Sequence, residues 1–349
     1  MVAIRVLQGI SQVSIALQRN KLLHTLFQGL AFPSMQALWS QWAPTKEKAR
    51  LVGFSFSGCY YGTAMAIPFS TYLAEWFGWE AIFYFAGGLS MVWAFIWLFT
   101  ISDSPYADSR ISEHELDYIT EGTQGCGSKR EVPEVPWIKI LLSVPVWTIV
   151  VLHVTQNWGF YTMLTYLPKF MNQFLQFQLK TTGLLGAVPY LAMGLMLTLA
   201  GTLADLLKSK TNISLLNLRK LYGAGGSFLQ ALFTILAIQW SDSSCVMTFV
   251  CLIIAFAAFP FSAYSVNQLD IAATYASVIM GLSNTIATIP GMVSPPIVGA
   301  IVRDGTPWEW MIVFYIIAGF YTFGGVVYLL LAKADTQRWA KKSQIHNGD

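Results

Sequence analysis

Polar side chains recur at helical spacing within the apolar stretch VLHVTQNWGFYT. His153, Asn157 and Tyr161 stand four residues apart, so they share one face if this stretch is helical. An imidazole, an amide and a phenol can all donate hydrogen bonds to an anion, and histidine titrates near physiological pH. The alternative is a structural histidine that a neighbouring carbonyl satisfies, and the sequence leaves both interpretations open.

A second pair with the same spacing follows in the stretch NTIATIPG. Asn284 and Thr288 lie at i and i+4, and both side chains carry donors for a carboxylate. Pro290, Pro295 and Pro296 come shortly afterwards, and proline interrupts the hydrogen-bond ladder of a helix. We expect these prolines to permit the bends of a gate.

Patterns typical of enzymes and metal sites are missing from the sequence. The cysteines, at positions 59, 126, 245 and 251, lack metal-ligand spacing, and no phosphate-binding loop or activated nucleophile is present. The basic residues are spread over many segments, which argues against a nucleic-acid surface. We therefore expect neither enzymatic activity nor a cofactor, and no nucleic-acid partner.

The elements that carry the polar residues follow from composition. Of 349 residues, 55% are hydrophobic and only 11% are charged, whereas a soluble domain has about 25% charged residues. About 20 apolar residues in a helix cross a hydrocarbon core of about 30 Å. We therefore predict an all-α, polytopic membrane protein in a lipid bilayer, with spans near 29–43, 51–74, 80–101, 140–168, 181–207, 215–239, 245–265, 271–302 and 308–332.

A hydrophilic loop at 102–139 divides these spans into two groups. Within the loop, Ser112 and Glu115 have the spacing of a capping box at the start of a short helix. The loop separates an N-terminal part, 1–101, from a C-terminal transmembrane part, 140–335, which a tail at 336–349 follows.

The distribution of Lys and Arg predicts the orientation. With the three cations of the N-terminal stretch left out, three others, Lys169, Lys180 and Arg303, fall on one side of the membrane and fifteen on the other. Because Lys and Arg accumulate in cytosolic loops, the second side and the C-terminus are predicted to be cytosolic. The fifteen are Lys46, Lys48, Arg50, Arg110, Lys129, Arg130, Lys139, Lys208, Lys210, Arg219, Lys220, Lys333, Arg338, Lys341 and Lys342.

Two similar stretches begin the third and the ninth predicted spans. GWEAIFYFAGG at 78–88 is similar to PWEWMIVFYIIAGF at 307–320, and each follows a span interrupted by Gly and Pro. Parallel repeats of this kind are typical of transporters built from two halves. Aromatic-rich spans can also resemble one another by chance.

Longer motifs indicate a family. The stretches NWGFYTMLTYLPKF, VNQLDIAATYASVIMGLSNTIATIPGMV and FYIIAGFYTFGGVVYLLLAKADTQRWA resemble the anion transporters of the major facilitator superfamily. This group includes sialin, the vesicular glutamate and nucleotide transporters and the sodium/phosphate cotransporters, and sialin-like members are the most similar. The resemblance implies twelve helices in two halves, of which the nine predicted spans correspond to the fourth through the twelfth.

The resemblance also implies a function. It predicts a secondary transporter that moves a small organic or inorganic anion with a coupling cation, H⁺ or Na⁺, by symport and alternating access. The membrane would be the plasma membrane or a lysosomal or vesicular membrane. The alternative is a truncated membrane isoform or regulator that does not transport, since the first three helices of the family are not accounted for.

Family motifs give further residues a structural or gating role. Asn267 and Asp270 lie in VNQLDIA, which resembles a family motif, and Asp270 is expected to cap a helix N-terminus there. The alternative is a packing element at a turn. GTLADLLKSK resembles the acidic and basic loop between paired helices of the superfamily. We therefore expect Asp205 to form a cytosolic latch with Arg219 or Lys220.

The N-terminal stretch departs from the family pattern. Arg5, Gly9, Gly29 and Pro33 have the four-residue spacing of the superfamily's fourth helix only if residues 13–28 are removed. We hypothesise that this insert is a retained intron, because codons for its first two and last two residues can spell the usual intron borders. In the chain as written we expect two helical pieces with a break near 19–21.

Removal of the insert would place Arg5, Gln12 and Gln36 on one continuous helix along the substrate or ion pathway. Family members commonly have Glu where Gln12 stands and often have His where Gln36 stands. Glutamine does not titrate, which weakens the case for proton coupling through this helix. Arg5 would be the remaining contact for an anion from this part of the chain.

Overall fold

The computed structural model describes residues 31–340, apart from 45, 101, 103, 121–133 and 178. The elements of this part of the chain are helices, without a strand among them. The predictions for Arg5, Gln12, the insert at 13–28 and the break near 19–21 lie outside the described residues.

Each predicted span coincides with one helix or with two consecutive helices in the described region. Short 3₁₀ turns occur at Pro105–Ala107 and Ala273–Tyr275, and a π-helical turn at Leu221–Gly225. The helices are α1 (Ala31–Trp42), α2 (Lys48–Phe77), α3 (Glu80–Thr100), α4 (Glu113–Thr120), α5 (Trp137–Leu141), α6 (Val144–Gln173), α7 (Leu179–Lys210), α8 (Leu215–Lys220), α9 (Gly226–Ala237), α10 (Ser243–Phe256), α11 (Ala258–Ala272), α12 (Ala276–Ala287), α13 (Ile289–Ile301) and α14 (Pro307–Leu331).

Four stretches of the described residues are long and apolar enough to cross a membrane. They are Glu80–Trp97, Leu184–Lys210, Ser243–Ile301 and Pro307–Leu331. Ser243–Ile301 has 59 residues, more than twice the length that one crossing needs. It contains the consecutive helices from α10 to α13, in agreement with the two spans predicted there.

Three predicted spans are interrupted helices. The π-helical turn joins α8 to α9, and such turns are frequent at functional sites. Ala257 separates α10 from α11. The break between α12 and α13 falls directly before Pro290, which occupies the first turn of α13. The helix is thus interrupted before Pro290, because proline cannot continue the hydrogen-bond ladder of the preceding helix. Pro295 and Pro296, in contrast, lie inside α13, which continues through them. The gating role of these prolines stays a prediction.

Helices α2 and α7 form the most extensive helix contact in the described region. Two glycines allow their backbones to approach closely. A Cβ atom at Gly201 would lie 2.5 Å from the carbonyl oxygen of Ala49, and one at Gly53 would lie 2.9 Å from that of Leu197. Close contact through small residues is the usual basis of helix packing in membranes.

The two similar stretches share a local feature in the structure. Gly78, the first residue of the first copy, has φ 85°, and Gly305, two residues before the second copy, has φ 75°. This left-handed backbone is accessible mainly to glycine. Before the second copy, Thr306 and Glu309 also form a capping box. The repeat itself stays a prediction.

The loop that joins the two groups of spans contains short-range polar contacts. Ser112 Oγ accepts a hydrogen bond from the Glu115 backbone N–H at 3.2 Å, as the predicted cap at the start of α4 requires. Nearby, Arg110 donates through Nε and Nη2 to the two carboxylate oxygens of Asp108. These bonds hold the pKa of the Asp108 carboxyl well below its usual range.

Candidate functional site

His153 lies in the middle of α6 and is buried, with 4% of its surface exposed. Its Nδ1 is 3.0 Å from Ser283 Oγ on α12, and its ring stacks on Tyr264 of α11 with centroids 4.4 Å apart. Gln268 of α11 donates from Nε2 to Ser283 Oγ at 3.4 Å and to Met280 Sδ at 3.5 Å. The imidazole is therefore held by α11 and α12 together.

The other two residues of the predicted stripe face α12 and the helix that follows it, α13. Asn157 Nδ2 donates to the carbonyl oxygen of Ala287 at the end of α12, at 2.8 Å. The ring of Tyr161 lies against Gly291 of α13, where an added Cβ would be 3.1 Å from it. The spacing of four residues therefore directs all three side chains to the line formed by α12 and α13.

Asn284 and Thr288 differ in what they offer to a ligand. The hydroxyl of Thr288 is within 2.9 Å of the Asn284 carbonyl oxygen and 2.8 Å of the Thr285 carbonyl oxygen, so its proton is used within the helix. The side-chain amide of Asn284 is half-buried and has no hydrogen-bond partner among the described residues. Asn284 is therefore the member of this pair whose side-chain N–H groups are available to bind a ligand.

Gln36 connects α1 to α11. It is fully buried, and its Nε2 donates to the Ser265 carbonyl oxygen at 2.6 Å. Ser265 lies three residues before Gln268, hence on the same face of α11. Gln36, which is predicted to lie on the substrate or ion pathway, is therefore next to α11, the helix whose Tyr264 stacks on His153.

Several buried amides use their N–H groups and leave their oxygens without a partner among the described residues. The nitrogen of Gln156 donates to Ser227 Oγ, that of Gln230 to the Ile253 carbonyl oxygen and that of Asn267 to the Tyr328 hydroxyl, each at 3.0 Å. A buried acceptor without a partner costs free energy. The group comprises Gln36, Gln156, Gln230, Asn267 and Gln268.

A series of aromatic contacts surrounds this interior and was not predicted from the sequence. The rings connect α1, α2, α6, α7 and α11, and each contact has a centroid separation of 5 to 6.5 Å, which is favourable for edge-to-face or stacked pairs. The pairs are Phe32 with Phe56 at 5.5 Å, Phe56 with Phe261 at 5.3 Å, Phe261 with Tyr60 at 6.3 Å, Tyr60 with Phe160 at 6.0 Å and Phe160 with Tyr190 at 6.4 Å.

Asp270 links distant parts of the chain at the basic end of the bundle, the end at which α2 and α8 begin. Its Oδ2 accepts from Arg219 Nε at 2.8 Å, and its Oδ1 is 3.4 Å from Lys48 Nζ. The side chains of Arg219 and Asp270 are only 5% and 7% exposed. Asp270 is in the last turn of α11 and does not cap a helix N-terminus, because its carboxylate is taken by these two cations.

Asp205 has a different partner from the one expected. Its Oδ2 accepts a hydrogen bond from the backbone N–H of Arg50 at 2.7 Å, in the first turn of α2. Glu47, the residue before α2, makes no side-chain cap, so Asp205 satisfies a free N–H group there and faces the positive end of the helix. The expected latch between Asp205 and Arg219 is therefore replaced by two contacts, Arg219 with Asp270 and Asp205 with α2.

The described residues contain no group of three or more His, Cys, Asp or Glu side chains that could hold a metal ion. What the interior does provide is a buried imidazole, amides and hydroxyls between α1, α6, α11 and α12. At the basic end, ionic contacts join α2 to the helices of the C-terminal part.

The sequence pattern that defines the Major Facilitator Superfamily matches residues 22–295. The chain belongs to the Major Facilitator Superfamily. Members of this superfamily are transporters and not enzymes, in agreement with the expectation from the sequence. The all-α polytopic fold is likewise the fold of the superfamily.

Curated members of the superfamily match most of the chain. It is 39% identical to human sialin over 319 residues, which are 91% of this chain and 64% of sialin. It is 35% identical to human vesicular glutamate transporter 2 over 324 residues, which are 92% of this chain and 56% of that protein. The chain thus spans less than two thirds of the length of these relatives.

Solved structures of the superfamily share the fold at low sequence identity. The proton:xylose symporter XylE matches with a TM-score of 0.65 at 14% identity, over 98% of this chain and 82% of XylE. A bacterial homologue of the human lysosomal transporter Spinster matches with a TM-score of 0.59 at 14% identity, over 95% of this chain and 81% of that protein.

Proposed function

We propose that this protein is a secondary transporter of small organic or inorganic anions, coupled to H⁺ or Na⁺ as the co-transported cation. The observation that carries the proposal is the buried polar group of His153, Ser283 and Gln268, which lies beside Gln36 and between helices from both parts of the chain. The similarity to sialin and to a vesicular glutamate transporter supports an anion as the substrate class.

The substrate pathway is proposed to follow the face of α6 that meets α12 and α13. His153, Asn157, Tyr161 and Asn284 supply hydrogen-bond donors there, and neutral donors in a medium of low dielectric bind an anion more strongly than they do in water. Gln36 is proposed to contribute from α1. Arg5, Gln12 and Thr288 remain candidates for the same pathway.

Alternating access is proposed to depend on the basic end of the bundle. Lys48 with Asp270, and Asp205 with the first turn of α2, connect the two parts of the chain there. Opening a passage at this end requires these contacts to separate, while the break before Pro290 lets α12 and α13 change their angle. We place this end in the cytosol, as the distribution of Lys and Arg predicts.

Uptake into proteoliposomes tests the function. The purified chain would be reconstituted and supplied with radiolabelled glutamate, a sugar acid or phosphate, with a proton or sodium gradient imposed across the membrane. We expect uptake of at least one anion that depends on one gradient and is lost in His153→Ala.

Two further preparations test the role of the N-terminal stretch. One lacks residues 13–28, and the other also carries three helices of a relative joined to its N-terminus. If none of these preparations takes up any of the anions, the transport proposal is rejected and the alternative of a non-transporting isoform or regulator is favoured.

A further inference from the structure

Ser283 Oγ is the centre of a small buried network that the sequence did not single out. Its distances are 3.0 Å to His153 Nδ1, 3.4 Å to Gln268 Nε2, 3.4 Å to the Met280 carbonyl oxygen and 3.9 Å to Met280 Sδ. Ser283 and Gln268 are fully buried, and Met280 is 1% exposed. A hydroxyl has one proton to donate, so these contacts restrict one another.

The thioether of Met280 determines the orientation of the Gln268 amide. A thioether sulfur accepts hydrogen bonds and cannot donate them. The amide end of Gln268 that lies 3.5 Å from Met280 Sδ must therefore be the NH₂ group, which is also the end that lies 3.4 Å from Ser283 Oγ. Ser283 Oγ consequently accepts a hydrogen bond from Gln268.

The proton of Ser283 is then left for His153. The Met280 carbonyl oxygen lies inside α12 and already accepts the helical N–H four residues later, so a bond from Ser283 would be its second, at the longer distance of 3.4 Å. His153 Nδ1 is closer to Ser283 Oγ, at 3.0 Å against 3.4 Å for that carbonyl, and it has no such competitor. A hydroxyl that donates to Nδ1 requires Nδ1 to be the unprotonated nitrogen, so the ring proton is on Nε2.

We propose that Met280, Gln268 and Ser283 are positioning residues that hold His153 as the neutral Nε2–H tautomer. The Nε2 atom has no hydrogen-bond partner among the described residues, so it is available as a donor of fixed direction. Stacking on Tyr264 restricts rotation of the ring. The ligand group that fits such a donor is an anionic oxygen, such as that of a carboxylate.

The inference rests on the proposed transport function only for the last of these steps, the contact with substrate. The tautomer can be measured without transport, by ¹⁵N nuclear magnetic resonance of the full chain with histidine labelled in the ring and reconstituted in lipid. The chain has four histidines, and the signals of His153 are those that His153→Gln removes. We expect a pyridine-type Nδ1 and a pyrrole-type Nε2 in the unaltered chain.

Two substitutions test the origin of the tautomer. Ser283→Ala removes the donor to Nδ1, and Met280→Leu removes the acceptor that orients Gln268 while keeping an apolar side chain of similar size. In both variants we expect a mixture of tautomers. Met193→Leu, at another fully buried methionine, is the matched control and should leave the His153 signals unchanged.

A protonated Nδ1 in the unaltered chain, or a single Nε2–H tautomer that persists in Ser283→Ala, would overturn the proposal. The first result is read in the unaltered chain and uses His153→Gln only to assign the signals, so misfolding of Ser283→Ala or Met280→Leu cannot obscure it. In uptake measurements, Met280→Leu should raise the KM for the anion several-fold with little change in maximal rate. If the chain shows the expected tautomer and none of the preparations takes up any anion, the transport function is rejected and the positioning network stands.

Discussion

Asp270 interacts with two cations that come from distant parts of the chain, Lys48 at a separation of 222 residues and Arg219 at a separation of 51. All three side chains are largely removed from water. A buried ion pair is a weak source of stability when intact, but removing one member leaves a buried charge without compensation. The contribution of Asp270 is therefore expected to appear mainly when it is removed.

Asp270→Ala is predicted to destabilise the protein by about 3–5 kcal/mol, because it leaves Arg219 buried and unpaired. Thermal unfolding in lipid or detergent measures the change. Asp335→Asn is the control, since Asp335 is exposed and forms no ion pair among the described residues, and substitutions at such surface positions change stability little. A loss in Asp270→Ala no larger than the control's would show that the ion pairs do not hold this end together.

Asp242 provides a cap whose strength depends on pH. Its carboxylate accepts from the Cys245 backbone N–H at 2.9 Å at the start of α10, and this bond lowers the pKa of Asp242. A group whose folded-state pKa is lowered stabilises the fold above its unfolded pKa and loses that effect as pH falls through the folded value. The melting temperature should therefore fall on acidification below about pH 4.

Asp242→Asn separates the pH-dependent stabilisation by Asp242 from that of the other carboxyl groups. Asparagine also caps helices well but does not titrate. We expect the melting-temperature difference between the unaltered chain and Asp242→Asn to change only at acidic pH, in favour of the variant. A difference that is constant from neutral to acidic pH would show that Asp242 has an unperturbed pKa.

At the scale of elements, the contact between α2 and α7 joins the N-terminal and C-terminal parts. It combines glycines at the crossing with the hydrogen bond from Arg50 to Asp205 at one end of the contact. Helix α3, in contrast, is mostly exposed, because only 11% of its stretch Glu80–Trp97 is buried. The closeness of α2 and α7 therefore depends on a few positions that lack a side chain.

Gly201→Ala is predicted to destabilise the protein by about 1–3 kcal/mol, the usual cost of overpacking. Its Cβ would meet the Ala49 backbone, which cannot rotate away as a side chain can. Gly186→Ala on the same helix is the control, because no atom lies within 4 Å of a Cβ there. The control should be neutral or stabilising, since alanine favours helix more than glycine does. Equal melting temperatures for the two variants would contradict the described crossing.

At the scale of the whole molecule, the distribution of Lys and Arg predicts that the loop at 102–139 is cytosolic. Cys126 lies in the hydrophilic loop on the side predicted to be cytosolic. In a chain with Cys59, Cys245 and Cys251 replaced by alanine, an impermeant maleimide should react with Cys126 only after the plasma membrane is opened with digitonin. This outcome is expected for a plasma membrane and for an organelle membrane alike.

A cysteine placed at Asp304, between α13 and α14, should lie on the other side. It should react in intact cells if the protein is in the plasma membrane, and only after full solubilisation if it is in an organelle. Labelling of Cys126 in intact cells would reverse the predicted orientation.

The sequence by itself determined the fold class, the positions of the helical spans and the face shared by His153, Asn157 and Tyr161. Hydropathy and the helical period are local properties, so a window of about 20 residues contains the information. The family motifs are local in the same sense. They identified the superfamily without reference to any contact between helices.

Only the tertiary structure decided which polar groups meet. Arg219 had Asp205 as the expected partner, and its actual partner, Asp270, is on another helix. His153 is 130 residues from Ser283, and Gln268 contacts Ser283 from a different helix. No local pattern records which helices are neighbours, because a buried side chain takes whatever complementary group the packing of whole helices brings within about 3 Å of it.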